Sequence, residues 1–321
     1  MTTNPVQVKP KSKQLLSPGH RACAGCAQLI AARTVAEALG PNVIIANATG
    51  CLEVTTTPYP ESAWGMPWMH SLFENAASIA SGIQAALIHK YRVQELKSSK
   101  SNNGQTRNQG SATMPKVVAQ GGDGSTFDIG FGNISGMWER GEDILYICYD
   151  NEAYANTGVQ ASGATPPGAN TTTSPSGRQS IGSDLRKKDM VAIALAHGLK
   201  YVAQTTAGFP LDITAKVKKA IATPGPSYIQ IMVPCIPGWG IEPADSIRLG
   251  KLGAQTGLYP AIEYTDGALS SSMKVPKPTP KVEEYLKAQK RFAHLFKSEE
   301  GKKRIEFLQI IADENIRKYA L

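Results

Sequence analysis

Little in this sequence points to a secreted, membrane or nucleic-acid-bound protein. Among 321 residues there are five cysteines, an odd number and too few for a disulfide framework in a chain this long. No apolar run reaches the ~18 residues that a membrane-spanning helix requires. The N-terminal stretch MTTNPVQVKPKSKQLLSPGH has no apolar h-region, which argues against a signal peptide. Aromatic residues make up 7% of the chain and form no stacking series, and there is no zinc-finger spacing. The net charge of +8 is therefore not read as a nucleic-acid footprint. Much of the positive excess lies in Lys274 to Lys318 and reads as a solvated basic face. The five histidines are scattered, and none is given a catalytic role. These absences lead us to expect a cytoplasmic chain, with thiols reduced or metal-bound and neither membrane nor nucleic acid as partner.

What is present suits a single large α/β domain with an appendage, since 41% of the residues are hydrophobic. Residues 1–18 are polar and read as an N-terminal arm. The pattern predicts a helix over 23–39, ended by Gly40-Pro41, then a buried strand at 43–46. A long small-residue helix is predicted over 71–91, and residues 96–115 read as a mobile polar loop. Strands are predicted at 116–120, 144–149, 200–204 and 228–233, and helices at 127–140, 189–197 and 212–222. Between them, 151–188 is irregular and rich in Gly, Thr, Pro and Asn, a length of loop that is often functional. The alternation of strands and helices predicts a doubly wound parallel sheet. That domain is assigned residues 19–240. Residues 241–321 are read as an extension ending in two amphipathic helices, 282–296 and 305–319, whose apolar stripes would meet a partner subunit or the chain's own core. No internal repeat is found.

Two motifs carry chemistry. The strand KVVAQ runs into GGDGSTFDIGFG. Gly121 and Gly122 allow a sharp turn, Gly124 allows close backbone approach to a ligand, and Ser125 and Thr126 can cap the next helix. The start of that helix suits a phosphate, and Asp123 offers a carboxylate for a divalent cation such as Mg²⁺. The following strand, ILYICYD, ends in NEAYANTG and would present Asn151 on the same sheet edge. The second motif is Cys23-x-x-Cys26. Alone it fits a redox dithiol, half of a zinc site, half of an iron–sulfur site, or two small buried residues.

A Gly-Asp-Gly followed one strand later by Asn is the thiamine-pyrophosphate fingerprint. The longer text GDGSTFDIGFG…YDNEAYANTGVQASGATPPG, with NATGC, SLFENAASIASG and VPCIPGWG, resembles the β subunit of 2-oxoacid:ferredoxin oxidoreductases over about Gly19 to Tyr264. The resemblance is strongest to the pyruvate synthase type, and it implies a thiamine-diphosphate-binding fold. It also implies that Asp123, Asn151 and the Ala153 carbonyl hold Mg²⁺. Gly50, Cys51, Gly122, Gly124, Ser125 and Thr157 would contact thiamine pyrophosphate, and Asn156 would lie at the reacting centre. Cys23, Cys26, Cys51 and Cys235 match the ligands of a [4Fe–4S] cluster, whereas Cys148, inside the apolar strand, reads as a buried small residue. A Cys₄ zinc site is the alternative for the four, and the neighbouring thiamine motif argues against it. Trp64, Met66, Trp68 and Met69 would shield the cluster, line a subunit contact or pack a loop.

The implied activity is reversible oxidative decarboxylation of pyruvate with CoA to acetyl-CoA and CO₂, with electrons passing to ferredoxin. Oxalate, 2-oxoisovalerate and aromatic 2-oxoacids are alternative substrates. A non-redox thiamine decarboxylase or carboligase, and a non-enzymatic electron-transfer subunit, are the rival readings. Only the pyrophosphate-binding module is evident in the chain. The implied partners are a pyrimidine-module (α), a CoA-related (γ) and a ferredoxin-like (δ) subunit.

Overall fold

A computed structural model describes residues 14–58, 62–100 and 113–321. One sheet organises the chain: β1 (Val43–Asn47), β2 (Trp68–His70), β3 (Lys116–Gly122), β4 (Ile144–Asp150), β5 (Tyr201–Thr206), β6 (Ser227–Met232), β7 (Ile262–Thr265) and β8 (Ala268–Ser272). The order across it is β2-β1-β3-β4-β6-β5-β7-β8. From β2 to β5 every neighbouring pair is parallel, while β7 and β8 run antiparallel at one edge. Each residue of β4 is buried, as expected for a central parallel strand covered on both faces. Cys148 lies within it, fully buried.

Helices α1 (Ala27–Leu39) and α6 (Pro210–Ala222) cover one face of the sheet. Helices α3 (Ala76–Lys100), α4 (Phe131–Glu139) and α5 (Met190–Ala196) cover the other. The expected doubly wound α/β fold is the observed one. Chain order reverses about β1, since β2 lies to one side of it and β3 to the other. Ligands of open α/β sheets bind beyond the carboxyl ends of strands at such a point.

Several expected elements differ, each for a local reason. Helix α1 starts at Ala27, because Cys23 to Gly25 form a turn. Gly25 has φ +73°, and a Cβ there would stand 2.4 Å from the Pro243 carbonyl. The CxxC pair thus precedes the helix. A short helix, α2 (Cys51–Thr56), and edge strand β2 escape the sequence patterns, being too brief for periodicity to register. Trp64 and Met66 are core residues, while Trp68 is only partly buried. Leu15 and Leu16, at the end of the expected arm, are buried too. Helix α3 continues through Lys100, so 96–100 are helix and not loop. The remainder of the expected mobile loop, 101–112, and residues 1–13 of the arm lie outside the described residues.

The helix expected at 127–140 divides into a π-helical segment, Gly124–Ile129, and α4. At the joint, a Cβ on Gly130 would stand 2.4 Å from the Ser125 carbonyl.

Beyond β6 the chain is more ordered than expected. It forms α7 (Ile236–Trp239), a 3₁₀ turn Pro243–Asp245, α8 (Ser246–Gln255) and the β7–β8 hairpin. The hairpin turn is Asp266-Gly267, both with positive φ, a dipeptide that the sequence displays openly. The helix expected over 282–296 is α9 (Val282–Lys287) followed by a 3₁₀ segment Lys290–Lys297. Helix α10 (Glu299–Tyr319) begins early, where the Ser298 side chain accepts from Gly301 N. The apolar stripes of these elements are buried within the chain. Trp239, Tyr285, Leu286, Phe292, Leu295 and Leu308 form a third core cluster. Phe292→Ala should therefore destabilise the whole domain by about 3–5 kcal/mol. Urea unfolding measures this, and a loss below about 1 kcal/mol would mean that the C-terminal segment is not part of the cooperative unit.

Candidate active site

The carboxyl ends of β1, β3 and β4 enclose a cavity lined by Thr49, Gly50, Cys51, Phe73, Gly121, Gly122, Asp123, Gly124, Asn151, Ala153, Asn156 and Thr157, among others. Every residue expected to hold the cofactor is on this wall except Ser125. The Ser125 side chain instead points inward, 3.5 Å from the Tyr146 hydroxyl. Neither Ser125 nor Thr126 caps the helix, since Thr126 Oγ1 donates to the Gly122 carbonyl at 2.7 Å. Only backbone at Ser125 remains to contact a ligand. Gly124 is required here, because a Cβ would come 2.3 Å from the Tyr154 ring.

Asp123, Asn151 and Ala153 converge although they lie on different segments. Parallel pairing of β3 with β4 sets Gly122 beside Tyr149, so the strand ends open together. Asn151 N donates to Asp123 Oδ1 at 3.3 Å. As placed, the Asn151 amide oxygen faces only acceptors. Turned over, its nitrogen donates to the Ala153 carbonyl at 2.7 Å and to Asp123 Oδ1 at 3.2 Å. The Asn151 side-chain amide therefore lies within hydrogen-bond distance of both the Asp123 carboxylate and the Ala153 carbonyl. Burial, and then the nearby Asp150 carboxylate, push the Asp123 carboxyl well above its ordinary range. A cation would oppose both effects. Ser162 Oγ, which donates to Asp123 Oδ2 at 2.5 Å, is a supporting residue that no local pattern marks.

The turn carrying Asn151 is fixed by buried ions. Asp150 and Glu152 flank it, and Glu152 has φ +65°. Lys187 Nζ lies 2.6 Å from Asp150 Oδ2 and 2.9 Å from Glu152 Oε1. Arg291 Nη2 donates to Glu152 Oε2 at 2.6 Å, and its guanidinium sits 4.0 Å over the Trp239 ring. Trp239 Nε1 in turn donates to the Asn151 carbonyl at 2.8 Å. Burial raises the Asp150 carboxyl. It also acts to raise Glu152, but Lys187 and Arg291 outweigh it and hold Glu152 below its ordinary value.

A second cavity adjoins the first. Cys23, Cys26, Cys51 and Cys235 all line it. Gln28, Cys51, Asn151, Ala155 and Asn156 line both cavities and form a common wall. Cys51 Sγ donates to Asn156 Oδ1 at 3.8 Å across that wall. The CxxC turn is docked onto the C-terminal segment by Ser246 Oγ, which donates to the Gly25 carbonyl at 2.7 Å. Cys235 is the residue before α7, and its carbonyl accepts from Trp239 N at 2.9 Å. Burial, and then the neighbouring cysteines, push the Cys51 thiol up to about 12. Burial likewise pushes Cys235 up to about 11 and raises Cys26. Among the described residues no three His, Cys, Asp or Glu side chains are grouped to hold a metal ion, so the four thiols share one cavity without converging on a single point. Four thiolates are a donor set common to iron–sulfur cubes and to zinc.

The family described as "Thiamine pyrophosphate enzyme, C-terminal TPP binding domain" matches residues 48–231. Pyruvate synthase subunit PorB of Methanosarcina barkeri is 47% identical over 98% of this chain and 99% of its own length. Ketoisovalerate oxidoreductase subunit VorB of Pyrococcus abyssi is 39% identical over 91% of this chain and 88% of its own. Among solved structures, a 2-oxoglutarate:ferredoxin oxidoreductase from Magnetococcus marinus shares the fold. Its TM-score is 0.53 at 22% identity, over 76% of this chain and 78% of that one.

The ion network makes a prediction with a definite sign in pH. Lys187→Met leaves Asp150 and Glu152 with one cation between them and should cost about 3–5 kcal/mol near neutral pH. In the parent, Glu152 is held below its ordinary value, so its contribution is present above the ordinary carboxylate range and is lost as pH falls. The raised Lys187 contributes below the ordinary lysine range and is lost as pH rises beyond its folded value. The gap between parent and variant should therefore be widest near neutral pH and narrow as the carboxylates protonate. Denaturation midpoints at several pH values measure this, and a gap that widens on acidification would refute the arrangement.

Proposed function

The chain belongs to the thiamine pyrophosphate enzyme family and, within it, to the pyruvate synthase PorB subunits, and from that premise we propose that it is the thiamine-binding subunit of a pyruvate-oxidising 2-oxoacid:ferredoxin oxidoreductase. The reaction is reversible oxidative decarboxylation of the 2-oxoacid with CoA. The electrons leave through a [4Fe–4S] cluster toward ferredoxin. The observation that carries this reading is the common wall, on which Cys51 faces one cavity fit for thiamine diphosphate and another lined by four cysteines.

In this reading the side chains of Asp123 and Asn151 and the Ala153 carbonyl would hold Mg²⁺, which would offset the charge of the diphosphate. Gly50, Gly122, Gly124, the Ser125 backbone and Thr157 form the cradle. When bound, the thiamine group supplies the carbanion that adds to the 2-oxoacid, and the cluster supplies a one-electron acceptor. Asn156 offers its amide beside the reacting centre, and Cys51 brings a cluster ligand to the same wall. Cys23, Cys26 and Cys235 complete that ligand set. A non-redox decarboxylase would leave the four-cysteine cavity without a role.

Pyruvate is the substrate favoured by the PorB relative. The VorB relative makes 2-oxoisovalerate the second candidate. The active complex requires further subunits. Among the described residues there is one sheet, extended after β6 by an antiparallel hairpin, and in this reading the pyrimidine-binding module comes from another chain, the α subunit. CoA-related (γ) and ferredoxin-like (δ) subunits complete the assembly. No helix among the described residues is long and apolar enough to cross a membrane.

The test is turnover by the assembled complex on a panel of 2-oxoacids, with CoA and a viologen dye as acceptor. Pyruvate should be oxidised only when CoA is present, and decarboxylation without dye reduction would refute the redox role. Asp123→Ala should abolish thiamine retention and activity while sparing the iron–sulfur spectrum. Cys51→Ala and Cys235→Ala should lose iron, whereas Cys148→Ala keeps it. Iron retained by Cys235→Ala and lost by Cys148→Ala would overturn the ligand set. The chain expressed alone should not turn over even when loaded with cofactor and cluster. Activity appearing only on addition of the pyrimidine-module subunit is the expected outcome.

A further inference from the structure

Thr49 lies between β1 and α2 and lines the cofactor cavity. Its Oγ1 stands 2.7 Å from Nε2 of His70, the last residue of β2. On the other side of that ring, Nδ1 is 3.9 Å from Glu53 Oε1. The His70 ring also stacks on Trp68, with centroids 6.1 Å apart, and Trp68 stacks on the buried Trp64. Trp64 is anchored by its Nε1, which donates to Thr56 Oγ1 at 2.9 Å. An imidazole held on its face by an indole, and approached at one nitrogen by a carboxylate, has a fixed orientation. The direction of the Thr49–His70 hydrogen bond depends on the imidazole tautomer: with the proton on Nδ1, the nitrogen nearer Glu53, Nε2 is left to accept from Thr49 Oγ1. Thr49, His70 and Glu53 are not among the residues assigned to cofactor or cluster.

The reaction proposed above does not balance on electrons alone. R–CO–COO⁻ with R′SH gives R–CO–SR′ and CO₂, and releases one proton with two electrons. The electrons have Cys51 and the acceptor beyond it, but the proton has no carrier among the cofactor-binding residues. We propose that Thr49 and His70 form the proton exit of this site, an inference that rests on reading the cavity as the place of 2-oxoacid oxidation. Thr49 Oγ1 accepts a proton at the cavity wall as its own O–H bond breaks and an N–H bond forms at His70 Nε2. The resulting imidazolium faces the Glu53 side chain. The side chains of His70 and Glu53 are 26% and 18% exposed, so the proton can pass on to water. Electrons and proton thus leave from opposite ends of one short segment, Thr49-Gly50-Cys51.

Two measurements test this. The first needs neither cofactor nor turnover. In the full chain labelled with ¹⁵N-histidine, the His70 ring signals are those lost in His70→Gln. They should show a protonated Nδ1 and a hydrogen-bonded, unprotonated Nε2, and Thr49→Val should shift Nε2 alone. A proton on Nε2, or an Nε2 signal unmoved by Thr49→Val, would overturn the proposal. The second uses the assembled complex. Thr49→Val should lower kcat tenfold or more, with KM for the oxoacid, thiamine content, iron content and melting temperature unchanged, and Thr49→Ser should restore kcat. A parent-like kcat in Thr49→Val, or a loss traced to missing thiamine or iron, would overturn it as well. A parent complex inactive on every 2-oxoacid would sink the functional reading and the relay with it. The NMR result separates that failure from failure of the hydrogen bond itself.

Discussion

Two buried carboxylates at the end of the central strand, with the two cations that face them, set the terms for the rest of the molecule. Asp150 and Glu152 are carboxylates taken out of water, and each such removal costs several kcal/mol unless the charge is compensated at close range. Lys187 and Arg291 supply that compensation from distant parts of the chain. The irregular loop after β4 must therefore return its far end to where it began. The C-terminal segment must also fold back until Arg291 lies under Glu152 and over Trp239. Between the two acids sits Asn151, with Ala153 just beyond. The turn that carries them is held through the ion pairs of its flanking carboxylates.

The same constraint explains why the C-terminal segment is structural. Its apolar stripes close over Trp239 and Tyr285, and Trp239 also donates to the Asn151 carbonyl. The packing that buries α10 thus helps hold the turn at the cavity. It also positions Cys235, whose carbonyl caps the short helix that carries Trp239. A single tryptophan links core packing, the cation-binding turn and one wall of the cysteine cavity.

What the sequence revealed followed from locality. Gly-Asp-Gly after an apolar strand, an Asn after the next strand, and Cys-x-x-Cys before a helix are each contained in a few residues. Their convergence needs only the parallel pairing of β3 with β4. The central strands were legible because ILYICYD is apolar on both faces. Ser162, Lys187, Arg291 and the Thr49–His70 pair were not legible, because each acts on a partner across a loop or a sheet, and no periodicity encodes such a pairing. Ser125 was misread for a related reason. A serine after a strand resembles a cap, but a π-helical start turns its side chain toward Tyr146. The β7–β8 hairpin was missed despite its Asp-Gly turn, since short exposed strands lack the apolar alternation that would have marked them.

The two cavities also differ in the elements that build them. The first draws on the carboxyl ends of the adjacent parallel strands β1, β3 and β4 and on the turn after β4. The cysteine cavity draws on the turn before α1, the start of α2 and the loop after β6. The CxxC turn is fixed only when Gly25 docks against Pro243 and Ser246. Burial pushes three of the cavity's thiols up, Cys26, Cys235 and Cys51, the last to about 12. A metal bound there would have to displace such protons, and that exchange would favour the folded arrangement in which the thiols already line one cavity. The cysteine cavity thus depends on the C-terminal segment through Pro243 and Ser246, as the Asn151 turn does through Trp239 and, by way of Glu152, Arg291.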